Sequence, residues 1–142
     1  MLLAVLAGAM MPTQAATNNK MAAVVDSPIL AAFISFAVGT VALFVYVVAS
    51  GTPLGNLASV RDAPPIAWAG GLLGAFFVTA AVMLVPRLGV AMTFSIIIAG
   101  QMLVTLIIDH FGLLGVPVKE VSWARIGGIL LILGGVVLIR KF

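Results

Sequence analysis

The side chains able to do chemistry in this chain are few, and most of them are uncharged. Gln14, Thr17 and Asn18 fall at i, i+3 and i+4, so on a helix they share one face. Pro12 stands just before them. A proline inside a helix removes a backbone donor and leaves the carbonyl one turn earlier, near Gly8, without its usual partner. Two amides beside a freed carbonyl can hold a polar group by hydrogen bonds. Interhelical glue and an exposed helix end are the competing readings of Gln14 and Asn18. A second stripe is Gln101, Thr105 and Asp109, at i, i+4 and i+8, with Thr93 and Ser95 nearer the start of the same segment. Gln101 lies well inside a charge-free run, where an amide can bind a polar substrate group without carrying charge. Asp109 and His110 close that run. They suit a proton relay, because histidine titrates near neutral pH. A structural ion pair between Asp109 and Arg125 is the alternative. Trp68 suits stacking on a cationic or aromatic substrate, or anchoring a helix at a membrane interface.

What is missing narrows the chemistry. There is no cysteine, hence no disulfide, thiolate nucleophile or thiolate metal site. One histidine and four acids provide no nucleophile–base set and no metal-ligand set. The expectation is therefore a protein that is not an enzyme and uses no metal or cofactor. The net charge of +3 comes from positive residues scattered at segment ends, which is no signature of nucleic-acid binding.

The elements that must position these side chains follow from composition. Of 142 residues, 63% are hydrophobic and only 8% charged. Soluble domains average roughly 45–50% apolar and about 25% charged residues, so this chain cannot solvate a globular surface. A membrane-crossing helix needs about 20 mostly apolar residues. The expected fold is an all-α integral membrane bundle of five transmembrane helices in a single domain, with spans near 2–25, 28–49, 66–85, 90–108 and 123–139. The first stretch admits a second reading as a cleaved signal peptide, although no positive charge precedes its apolar run. Ser27-Pro28 predicts a capped start for the second span. Ala32, Ser35, Gly39, Ala42, Tyr46 and Ala49 run along that span as a mostly small seam suited to close packing. Residues 51–65 form the longest loop. Gly70-x-x-x-Gly74 is a helix-approach motif in the third span. Pro86-Arg87-Leu88-Gly89 is a tight connection expected to fold the third and fourth spans into an antiparallel hairpin. Ser122 is a candidate cap for the last span, which carries Gly127, Gly128, Gly134 and Gly135.

Five spans place the termini on opposite sides. Lys20, Arg87, Arg140 and Lys141 then lie on the C-terminal side, and Arg61, Lys119 and Arg125 on the other. The positive-inside rule weakly favours a cytoplasmic C-terminus. So even a split admits dual orientation, and with it an antiparallel homodimer.

Taken in order, these motifs resemble the short five-span members of the drug/metabolite transporter superfamily, the YdcZ-like or half-size group. The resemblance rests on Pro12-x-Gln14-x-x-x-Asn18, Ser27-Pro28 leading to Phe33-x-x-Phe36-x-x-Gly39-Thr40, Gly70-Gly71-x-x-Gly74 and Pro86-Arg87-Leu88-Gly89. Its most specific parts are Gly100-Gln101 and Ile108-Asp109-His110-Phe111-Gly112, followed by Arg125-x-x-Gly128. It covers nearly the whole chain and argues against a cleaved signal. It implies one half of a ten-helix inverted-repeat architecture, completed by a homodimer or an oppositely oriented paralogue. Such repeats commonly work by alternating access around a midplane site. The implied protein is a bacterial inner-membrane, multi-pass transporter of a small polar or amphipathic metabolite or drug. The binding residues expected are Gln14, Asn18 and Gln101, with Thr105 and Trp68. The four-span multidrug exporters of the superfamily use a membrane-embedded glutamate. Here the single glutamate, Glu120, lies in a loop, which argues against proton antiport of lipophilic cations by that route. Two rival readings are a non-transporting membrane subunit or assembly factor, and a subunit of a lipid-carrier flippase.

Overall fold

A computed structural model describes residues 1–141 and is helical throughout, with no strand among them. Five long helices follow one another: α1 (Leu2–Val25), α2 (Pro28–Ala49), α3 (Pro65–Leu88), α4 (Val90–Phe111) and α5 (Trp123–Lys141). Four of them, α2 to α5, are long and apolar enough to cross a membrane. The second half of α1 carries Thr13, Gln14, Thr17, Asn18, Asn19 and Lys20, and α1 does not reach the apolarity of the other four.

Local chemistry sets most helix ends. After α1, Asp26 turns left-handed (φ 51°) and Ser27 donates its N–H to the Ala22 carbonyl at 3.2 Å. Ser27 then caps α2 by accepting the Leu30 N–H at 3.2 Å, and Pro28 opens the helix. Ser122 accepts the Arg125 N–H at 3.3 Å and so starts α5. Other boundaries move from the sequence expectation. The loop at 51–65 contains a 3₁₀ segment, Leu54–Asp62. Pro86 does not end α3; the helix runs through it to Leu88. A proline keeps a helical φ but loses the bond to the carbonyl four residues earlier and crowds it, so α3 carries Pro86 only two residues before its end. The break falls on Gly89 alone, whose φ of 79° and ψ of 161° suit only glycine. Asp109 and His110 lie inside the last turn of α4, which ends at Gly112 in the left-handed conformation.

The chain divides into two compact units, Met1–Pro86 and the segment from Arg87 onward. In the first, α1 packs on α2, and Ala22, Ala32, Phe77, Val78 and Val82 draw the three helices into one small core. The close packing expected along the whole α2 seam is confined to its start. Ala31 and Ala32 are buried and Ser35 is half-buried, whereas Tyr46 is exposed and a methyl group added at Gly39 would meet no atom. Of the α3 glycines, Gly74 receives the Phe36 ring, while Gly70 faces open space. In the second unit, α4 packs on α5 and on the turn at Leu113–Gly115.

Candidate functional site

The α1 face that meets α2 is built by Ala15, Asn18 and Ala22, one turn apart. Small residues let the helices approach, and Asn18 is carried into the contact with only 7% of its surface exposed. Its Nδ2 has no hydrogen-bond partner. The neighbouring polar groups are occupied. Thr13 Oγ1 donates to the Ala9 carbonyl (2.9 Å), Thr17 Oγ1 to the Gln14 carbonyl (2.9 Å), and Asn19 Nδ2 to the Ala15 carbonyl (3.0 Å). What remains buried and unsatisfied on this surface is the Asn18 Nδ2, with the exposed Gln14 amide one turn before it.

Those two amides line a hollow of about 370 Å³, together with Met10, Met11, Thr17 and Ser35. Two smaller hollows of about 220 Å³ adjoin it through shared lining residues. One runs from Gln14 and Ser35 to Thr40, the other from Asn18 and Ser35 to Val38. The first falls in the range of small-molecule sites, roughly 300–1,000 Å³. Ser35 is a lining residue that sequence reasoning assigned only to helix packing. Its position one turn before Gly39, on a face that stays open, was the available signal.

In the second unit the polar residues gather at the end of α4. Arg125 Nη2 donates to Asp109 Oδ2 at 2.8 Å, with both side chains about one third exposed (34% and 33%). Arg125 Nη1 also donates to the Lys119 carbonyl at 3.0 Å, and the Lys119 N–H donates to the Asp109 carbonyl at 2.8 Å. His110 Nδ1 accepts the Val121 N–H at 3.3 Å, which fixes a ring nitrogen as an acceptor. Among the described residues no hydrogen bond joins His110 to the Asp109 carboxylate. Asp109, Arg125 and Thr105 border a groove of about 460 Å³ whose other walls are apolar, including Leu106 and Ile129. Thr105 Oγ1 donates to the Gln101 carbonyl at 2.9 Å. Gln101 itself is exposed and borders neither hollow, and Trp68 is 62% exposed. The structure thus brings Gln14 to Asn18, and Thr105 to Asp109 and Arg125. It leaves Gln101 and Trp68 outside both groups. Among the described residues no cluster of three or more histidines and acids could hold a metal ion.

Apolar helices of spanning length with amide-lined hollows define the class as a polytopic α-helical membrane protein. The family model described as "Putative inner membrane exporter, YdcZ" matches residues 1–138, and the chain belongs to that family. The inner membrane protein YdcZ of Escherichia coli (strain K12) is 35% identical over 71 residues, a stretch that covers 50% of this chain and 48% of that relative. The chain therefore matches about half the length of this curated relative. No solved structure matches. With its apolar helices, the match places the chain among multi-pass proteins of the bacterial inner membrane, in a family described as inner-membrane exporters.

Proposed function

We propose that the chain is a drug/metabolite-type transporter that works as a dimer by alternating access. Two copies, or one copy and an oppositely oriented relative, supply the two five-span halves, with α1 as a crossing helix. The substrate is a small polar or amphipathic molecule, and Gln14 and Asn18 hold it. The observation that carries this reading is the buried Asn18 amide, which has no partner and borders a hollow of about 370 Å³ in a transporter-family chain. Polar groups in a membrane domain tend to face a cavity or another helix, and an unmet one is costly. Asp109, His110 and Arg125 hold the α4–α5 connection, a reading supported by their contacts with the backbone at 119–121. Gln101, Thr105 and Trp68 remain separate binding candidates.

The test is transport by purified protein in proteoliposomes, assayed against a panel of small amphipathic metabolites. Gln14→Ala and Asn18→Ala are expected to abolish or strongly reduce accumulation. Unchanged accumulation in both removes this hollow from the site, and unchanged accumulation in Gln101→Ala removes Gln101. A second reading, a non-transporting subunit, is favoured by α5, which buries no residue and whose four glycines face open space. A stable hetero-complex without a homodimer on purification would support it.

A further inference from the structure

The lining of the α1–α2 hollow restricts the charge of what can enter it. Its polar members are Thr13, Gln14, Thr17, Asn18 and Ser35, and none of the residues bordering it carries a charge. The two adjoining hollows are equally free of acids and bases. Lys20, the nearest basic residue in sequence, is exposed and lines none of the three. A cation or anion moved into an apolar site needs a counter-charge there, because isolated ions lose their hydration at great cost. A neutral group needs only a hydrogen-bond partner. Asn18 borders the hollow with 7% of its surface exposed, and its Nδ2, buried without a partner, is the free donor nearest to such a group. The threonine hydroxyls cannot offer the same, since their protons already go to carbonyls of their own helix. Met10 and Met11 supply flexible, polarisable walls that adapt to different apolar shapes.

We infer that this site selects uncharged amphipathic molecules, whose carbonyl- or hydroxyl-type oxygen accepts a hydrogen bond from Asn18 while an apolar body lies against the methionines. Asn18 is then the specificity-determining residue, and movement of the ligand carries no net charge. This rests on the assignment of the α1–α2 hollow as the binding site, and it adds the chemical class of the ligand.

Three probes sharing a benzyl body separate the possibilities: N-benzylacetamide is neutral, benzyltrimethylammonium cationic, and phenylmethanesulfonate anionic. Binding is measured to the full chain in lipid nanodiscs. The neutral probe is expected to bind, and the charged pair to bind at least about tenfold more weakly, since neither ion finds a counter-charge in the lining. Asn18→Leu should weaken binding of the neutral probe by about tenfold, the order of one hydrogen bond, while leaving the charged probes weak, and Asn18→Asp, which retains the size, should shift the preference toward the cation. If Asn18→Leu fails to fold, the Asn18→Asp comparison still decides. Tighter binding of either charged probe by the unaltered chain overturns the inference, as does neutral binding that ignores both variants, or none at all. Binding of the neutral probe through Asn18 without any flux in proteoliposomes sinks the transporter reading and leaves the ligand class standing. Flux of a cationic substrate alone does the reverse.

Discussion

Asn18 and Arg125 are both polar residues on membrane helices, yet their environments are opposite. Arg125 is held on both terminal nitrogens: one donates to the Asp109 carboxylate and the other to the Lys119 carbonyl. Asn18 is buried and unmet. The spacing of Gln14, Thr17 and Asn18 made their shared face legible from sequence. It could not show that the Thr13, Thr17 and Thr105 hydroxyls would turn back to their own helix, because every helical threonine has a carbonyl in reach and only the rotamer decides. Nor could it choose between a relay and a pair for Asp109. The ion pair predicts a modest coupling. Both groups are a third exposed, so a double-mutant cycle with Asp109→Asn and Arg125→Met should give at most about 1 kcal/mol. Arg125→Met alone should cost more than Asp109→Asn, because it also frees the Lys119 carbonyl, a bond of about 0.5–1.5 kcal/mol. Reversible unfolding in mixed micelles reads both quantities. Equal single costs would mean that the Lys119 contact contributes nothing.

Among the elements, existence was more legible than extent. Long charge-free runs mark a helix whatever its neighbours, and the Ser27-Pro28 start is written in residue types that cap. The helices α3 and α4 run to Leu88 and Phe111, a few residues past the expected spans 66–85 and 90–108, because they stop at the glycines of those connections, Gly89 and Gly112, which take positive φ. Gly112 shows this most clearly. It ends α4 at φ 59°, and a Cβ built on it would lie 2.7 Å from Val118 Cγ2 and 3.3 Å from the Val116 carbonyl oxygen. Gly112→Ala therefore meets backbone strain of about 1–3 kcal/mol and a clash with the returning connection. Gly100, in the middle of the same helix, meets no atom. Gly100→Ala should be neutral or stabilising by about 0.5–1 kcal/mol, since glycine is a poor residue in a helix interior. The same unfolding assay distinguishes the two, and equal effects would contradict this account of how α4 ends.

At the scale of the molecule, the apolar surface is the dominant fact. Buried residues are few and mostly small, while Phe33, Phe44, Leu72, Phe76 and Leu131 are exposed. Patches of this extent need lipid or another chain to cover them. Which of the two covers each face depends on how many times the chain crosses, and here α1 decides. Its 24 residues measure about 36 Å at 1.5 Å per residue, enough for a hydrocarbon core of about 30 Å. Its polar half, however, would bring Gln14 and Asn18 below the headgroups, which is tolerable where they face a cavity rather than lipid. The hollow between α1 and α2 provides such a cavity, so five crossings are expected, with termini on opposite sides. Reporters fused separately to each end in cells should then give opposite locations. A mixed signal at each end would instead mean that two orientations coexist, which seven basic residues divided four to three between the sides would admit. Termini reported on the same side would put α1 along the interface, expose Asn18 to headgroup water, and remove the physical need for a substrate to satisfy it.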